Sequence, residues 1–107
     1  MSTEDFNKLV EERCNKIVAT LAAKQKEYST ADDKLHNFNR GASIAGQSRE
    51  RVLHGFMLKH YISFMDIIDN VDKGIIPSDE VIDEKIGDII NYMILAEACL
   101  KERNQKK

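Results

Sequence analysis

The stretch from Ser78 to Arg103, SDEVIDEKIGDIINYMILAEACLKER, decides the fold. It opens as helices open: Ser78 suits the N-cap, and Asp79 and Glu80 fill the first turn, where the helix dipole favours acids. Ile82, Ile86, Ile89, Met93, Ala96 and Leu100 then recur at helical spacing. From Ile86 onward the segment is apolar on almost every side, because Ile90, Ile94, Leu95, Ala98 and Cys99 lie off that stripe. A helix that is hydrophobic all round must be surrounded. Two other helices are too few to surround it. The expectation is that this helix packs in a subunit interface, giving a dimer or tetramer of helical bundles.

Upstream, Gly74 and Pro77 break the chain, and a helix over 49–70 precedes them. Leu53, Met57, His60, Phe64, Ile67 and Val71 form its core stripe. Residues 29–47 lose the periodicity and read as a long connection, with Gly41 and Gly46 as turns and room for one short helix near 31–39. A loop of that length is rare in a small domain unless it is used. A first helix over 4–28 carries Phe6, Val10, Ile17, Leu21 and Tyr28 on one stripe, joined by Leu9, Val18 and Ala22. Ser2 and Thr3 are its N-cap candidates. The reading is therefore all-α, one domain over residues 1–107, with three long helices and a short one, assembled as an oligomeric helical bundle.

Composition agrees. The chain has 107 residues, one proline and five glycines, too few breakers for a turn-rich sandwich or barrel. Hydrophobic residues at 42% make it too apolar for a disordered chain. A net charge of −2 does not predict nucleic-acid binding. Charge is nonetheless uneven: residues 24–59 hold seven basic and four acidic side chains, residues 60–88 two basic and eight acidic. No apolar run approaches a membrane span. MSTEDFNK at the start is polar and acidic, unlike a secretory or transit signal. Two cysteines, Cys14 and Cys99, build neither a disulfide framework nor a zinc site, and their apolar helical neighbours suggest inert packing residues. Together these features point to a reduced, cytoplasmic protein.

Four polar features carry candidate chemistry. Glu84 and Asp88, four residues apart, share one helix face that Asn91 continues. Like charges at that spacing repel, and a bound cation would remove the cost. Such hard oxygen ligands suit Mg²⁺ or Mn²⁺, and Asp66 on the preceding helix would add a third carboxylate. Solvated acids at a helix start are the plain alternative. Lys59, Ser63 and Asp66 form a second polar line, in which Lys59 would meet a phosphate. His60 sits on the apolar stripe between Met57 and Phe64, as a hydrogen-bonded buried histidine or as a phosphate or proton contact. In the long connection, Lys34, His36, Asn37 and Arg40 flank Phe38, which could stack on a base. No glycine-rich phosphate loop and no serine or cysteine nucleophile arrangement is present.

KEYSTADDKLHNF (Lys26 to Phe38), LKHYISFMDII (Leu58 to Ile68) and EKIGDIINY (Glu84 to Tyr92), in that order, resemble a small phage and bacterial family, the nucleotide modification associated domain type 1. The resemblance covers about residues 24–102. That family is similar in turn to the MazG-like all-α nucleoside triphosphate pyrophosphohydrolases, which are helical dimers or tetramers holding Mg²⁺ with acids from two neighbouring helices. The resemblance implies Mg²⁺-dependent cleavage of a nucleoside triphosphate or modified deoxynucleotide. Glu84 and Asp88 would be catalytic and, with Asp66, would hold the metal. Lys34, Asn37, Arg40, Lys59, His60, Asn91 and Tyr92 would contact the nucleotide. This sequence departs from the pattern: Lys85 stands where a second acid is usual, and the preceding helix lacks an E-x-x-E pair. The departures favour a second expectation, a non-catalytic protein that sequesters a nucleotide or a nucleotide-derived immune signal.

Overall fold

The computed structural model describes residues 1–23 and 33–105. They form four helices and no strand: α1 (Thr3–Ala23), α2 (His36–Ala45), α3 (Arg49–Asp72) and α4 (Asp79–Gln105). The all-α expectation holds, and the three long helices fall close to their sequence positions. The first was expected to reach residue 28. α1 is described to Ala23, and Tyr28 lies outside the described residues.

Capping explains the starts. Ser2 Oγ accepts from Asp5 N at 3.0 Å, Ser48 Oγ from Arg51 N at 3.1 Å and Ser78 Oγ from Val81 N at 3.2 Å. The short helix differs from the expected one near 31–39. Asp33 Oδ1 accepts from Leu35 N at 2.9 Å, and this turn delays helix entry to His36. Gly41 is no turn; α2 runs through it to Ala45. A Cβ there would lie 2.9 Å from Val52 Cγ1, so Gly41 lets α2 lie close on α3. Gly46 ends α2 at φ 66°, the left-handed cap conformation that suits glycine.

α3 and α4 form a long antiparallel hairpin, with α2 packed across the α3 end remote from the hairpin turn. There Leu35, Phe38, Leu53 and Cys99 are buried, with Val52, Tyr92, Leu95 and Ala96 packed around them. Phe38 meets Phe56 edge-on, ring centroids 6.1 Å apart. Arg49, only 8% exposed, ties the end together: it donates to Cys99 O at 2.6 Å and Glu102 Oε1 at 2.7 Å, and reaches Asn39 Oδ1 at 3.3 Å. Asn39 in turn donates to Asp33 Oδ2. Arg103 pairs with Glu50 beside it, and that hydrogen bond holds the Glu50 carboxyl below its ordinary range.

α1 packs against α4 alone among the described helices. Its grip is ionic. Lys16 Nζ lies 2.8 Å from Asp83 Oδ2, and Arg13 donates to Asp83 O at 3.3 Å. Gly87 makes this approach possible, since a Cβ there would sit 2.6 Å from Arg13 Nη1.

Two apolar stripes of the sequence are largely outside the observed core. On α1, Phe6, Leu9, Val10 and Val18 are exposed, and Cys14 is exposed rather than packed. On α4, the Ile82-to-Leu100 stripe does not face α3. Ile82, Met93 and Leu100 are exposed, whereas Tyr92, Leu95 and Cys99 turn inward. The α3 stripe is as expected, with Leu53 buried and Met57, His60, Phe64 and Ile67 half-buried, though Val71 near its end is exposed. The radius of gyration is 16.2 Å, against about 13 Å for a compact domain of this length.

Candidate functional site

The antiparallel hairpin brings part of the candidate set together midway along its length. His60 on α3 faces α4, with Nδ1 3.2 Å from Asp88 Oδ2. Its ring lies against Tyr92, centroids 5.1 Å apart and planes tilted by 31°. Asp88 and Tyr92 are four residues apart, so they stand one above the other on the α4 face toward His60. Asn91, also on α4, is half-buried, and its Oδ1 is buried with no hydrogen-bond partner among the described residues. His60, Asp88, Asn91 and Tyr92, drawn from two of the quoted segments, thus share one small region of the α3–α4 seam. A carboxylate at Nδ1 fixes the orientation of an imidazole.

The remaining acids stand apart. Glu84 is exposed and lies 3.6 Å from Lys85 Nζ on its own helix. Asp66 is exposed on α3. Among the described residues, no three His, Cys, Asp or Glu side chains form a group able to hold a metal ion, so Asp66 does not join Glu84 and Asp88 there. Lys59 is exposed on the turn before His60. Ser63, its neighbour in the expected polar line, turns its hydroxyl back to Lys59 O at 3.2 Å.

Lys34, Asn37 and Arg40 belong to the other end of the hairpin. All three are exposed on α2 or the turn leading into it. Lys34 lines a shallow depression with Ala98, Lys101 and Glu102 of α4. From Asp88 to Glu102 the axis of α4 advances about 21 Å. The chain therefore divides the expected nucleotide contacts between two places.

Arg49 is the polar centre that sequence reasoning passed over. As the first residue after the Ser48 cap it reads as a solvated helix start. Its contacts with Cys99 and Glu102, some fifty residues away in the same chain, give it a buried role. Cys99 itself is fully buried, and burial pushes its thiol above the ordinary value, which keeps it unreactive. No described helix is long and apolar enough to cross a membrane. Compared with protein-family models, curated proteins and solved structures, the chain matches none of them.

Proposed function

We propose that this chain is a helical homo-oligomer, a dimer or tetramer, that binds a nucleotide or nucleotide-derived signal without hydrolysing it. The binding region is the His60–Asp88–Tyr92 cluster. The observation that carries the reading is the contact between Asp88 and His60. The family resemblance makes that carboxylate a metal ligand, yet here it orients a histidine. Hydrolysis of a phosphoanhydride needs a cation that bridges phosphate oxygens and positions water. Binding needs only cations and hydrogen-bond donors, and Lys59 and His60 supply them on adjacent positions of α3. The exposed apolar residues of α1, α3 and α4 support the oligomer.

A second reading, Mg²⁺- or Mn²⁺-dependent pyrophosphohydrolysis, keeps one supporting observation. Glu84 and Asp88 lie on one face of α4, both reached by solvent. A cation between them would offset their repulsion. In that reading an acid from a second copy completes the site. The cytoplasmic, phage or bacterial setting goes with the resemblance in both readings.

A thermal-shift panel of nucleoside triphosphates, monophosphates and cyclic nucleotides, with Mg²⁺ and with EDTA, separates the two. Binding without hydrolysis predicts that at least one ligand raises the midpoint in EDTA and is recovered intact by chromatography after hours with Mg²⁺. A monophosphate plus pyrophosphate formed with Mg²⁺, and lost in Glu84→Gln, would establish the enzyme instead.

A further inference from the structure

The surface left open on α4 is a seam of regular spacing. Ile82, Ile86, Ile89, Met93, Ala96 and Leu100 are separated by four, three, four, three and four residues. Alternating threes and fours are the spacing by which one helix pairs with another in a coiled coil. The seam is only partly used among the described residues: Ala96 borders the buried cluster and Ile82 and Ile86 lie on the side toward α1, while Met93 and Leu100 face outward. The line Asp88, Tyr92, Leu95 and Cys99 faces α3. The line Asp83 and Gly87 faces Arg13 of α1. Between those two contacts lies an open groove of about 590 Å³, walled by Ile89, Ile90, Met93, Ile94, Ala96 and Leu100 and edged by Glu97 and Lys101. Met93 and Leu100 are each more than half exposed, large losses for apolar side chains in the middle of a helix.

We infer that the occupant of this groove is α4 of a second copy of the chain, lying antiparallel across a two-fold axis. Two observations choose that occupant and direction. The seam is self-complementary: the register that lays the groove on its own copy sets Ile89 against Leu100 and the long Met93 against the small Ala96. The charge is also polarised along the helix. Residues 79–88 hold five acids and one lysine, whereas residues 97–105 hold two acids and two bases. A parallel pair would stack the acidic ends on each other. An antiparallel pair sets each acidic end beside a neutral one and opposes the two helix dipoles. The inference rests on the oligomeric part of the reading above and goes further, by fixing which helix pairs, in what direction and in what register.

Cysteine pairing tests it in a Cys14→Ser chain, where Cys99 stays buried. Ile89→Cys and Leu100→Cys proteins are prepared separately, mixed, allowed to exchange and oxidised. Light scattering on the unoxidised Cys14→Ser chain gives the assembly state. The antiparallel pair predicts a mixed 89–100 disulfide as the main product, with little self-linking of either variant. Met93→Lys should shift the scattering mass to that of one chain while circular dichroism stays helical. Self-linked Leu100→Cys as the main product would overturn the direction. An assembly that keeps its mass in Met93→Lys and gives neither disulfide would overturn the seam and leave the oligomer standing. A single-chain mass for the Cys14→Ser protein at tens of micromolar would overturn both.

Discussion

The two ends of the α3–α4 hairpin are built on different principles. The end capped by α2 is closed: Phe38, Leu53 and Cys99 are almost wholly buried, and a buried arginine bridges three helices. The end nearer the hairpin turn is open: α1 rests on α4 through Arg13, Lys16 and Asp83, while Phe6, Leu9 and Val10 stay in solvent. The closed end has interior packing of its own. The open end has ionic contacts, which solvent and salt weaken, beside apolar surface that no described residue covers. A helix can thus belong firmly to its own chain at one end and offer itself to another along the rest.

The largest effect should come from breaking the closed end. Phe38→Ala removes a ring that is 1% exposed and should cost about 4 kcal/mol in urea unfolding. A loss below about 1 kcal/mol would mean that this end is not the stable one. Arg49→Met follows, at about 3 kcal/mol, because it strands Glu102 and Asn39 while keeping most of the apolar stem. Gly87→Ala separates the two ends. Alanine favours the helix by up to about 1 kcal/mol, yet its methyl displaces Arg13. Global stability should change by less than about 1 kcal/mol, while amide protection in α1 falls. Unchanged protection in α1 would show that Arg13 is not what holds it.

Acid should produce the smallest effect. Glu50 and Asp83 both have carboxyl groups held below their ordinary values, chiefly by hydrogen bonds from Arg103 and Lys16 respectively. A lowered folded-state value contributes stability that is fully present above the unfolded value, near 4.5 for Glu and 3.8 for Asp. That contribution is lost as the pH falls through the folded values. Unfolding midpoints should therefore drop below about pH 4.5. Glu50→Gln should blunt the drop more than Asp83→Asn, because Asp83 is half exposed and better screened. Equal blunting would erase the distinction between the two ends.

Helix positions, caps and the left-handed Gly46 were legible because they are local. A serine three residues before a donor, or a glycine after the last turn, carries its own geometry. The facing of α4 was not legible. A segment apolar on every side carries no phase, so spacing does not say which stripe turns toward α3, and the best-spaced one is largely open. The same limit governs the site. Glu84 and Asp88 share a face by spacing alone, but the partner of Asp88 depends on the register of α3 against α4, which no local pattern encodes. Arg49 escaped notice for the same reason, since its contacts lie 50 and 53 residues away.

Arg49 also has a mechanical consequence. At the far end of the hairpin, Gly74 at φ 84° and the bond from Ile75 N to Asn70 O fix the turn into α4. The two long helices are thus pinned at both ends, by a tight turn below and a guanidinium clamp above. Sliding α4 along α3 by one helical turn, about 5.4 Å, is a common way for helical proteins to switch state. Here such a ratchet would have to unmake the turn and pull Arg49 off Cys99 and Glu102 together. The hairpin is a strut rather than a slide.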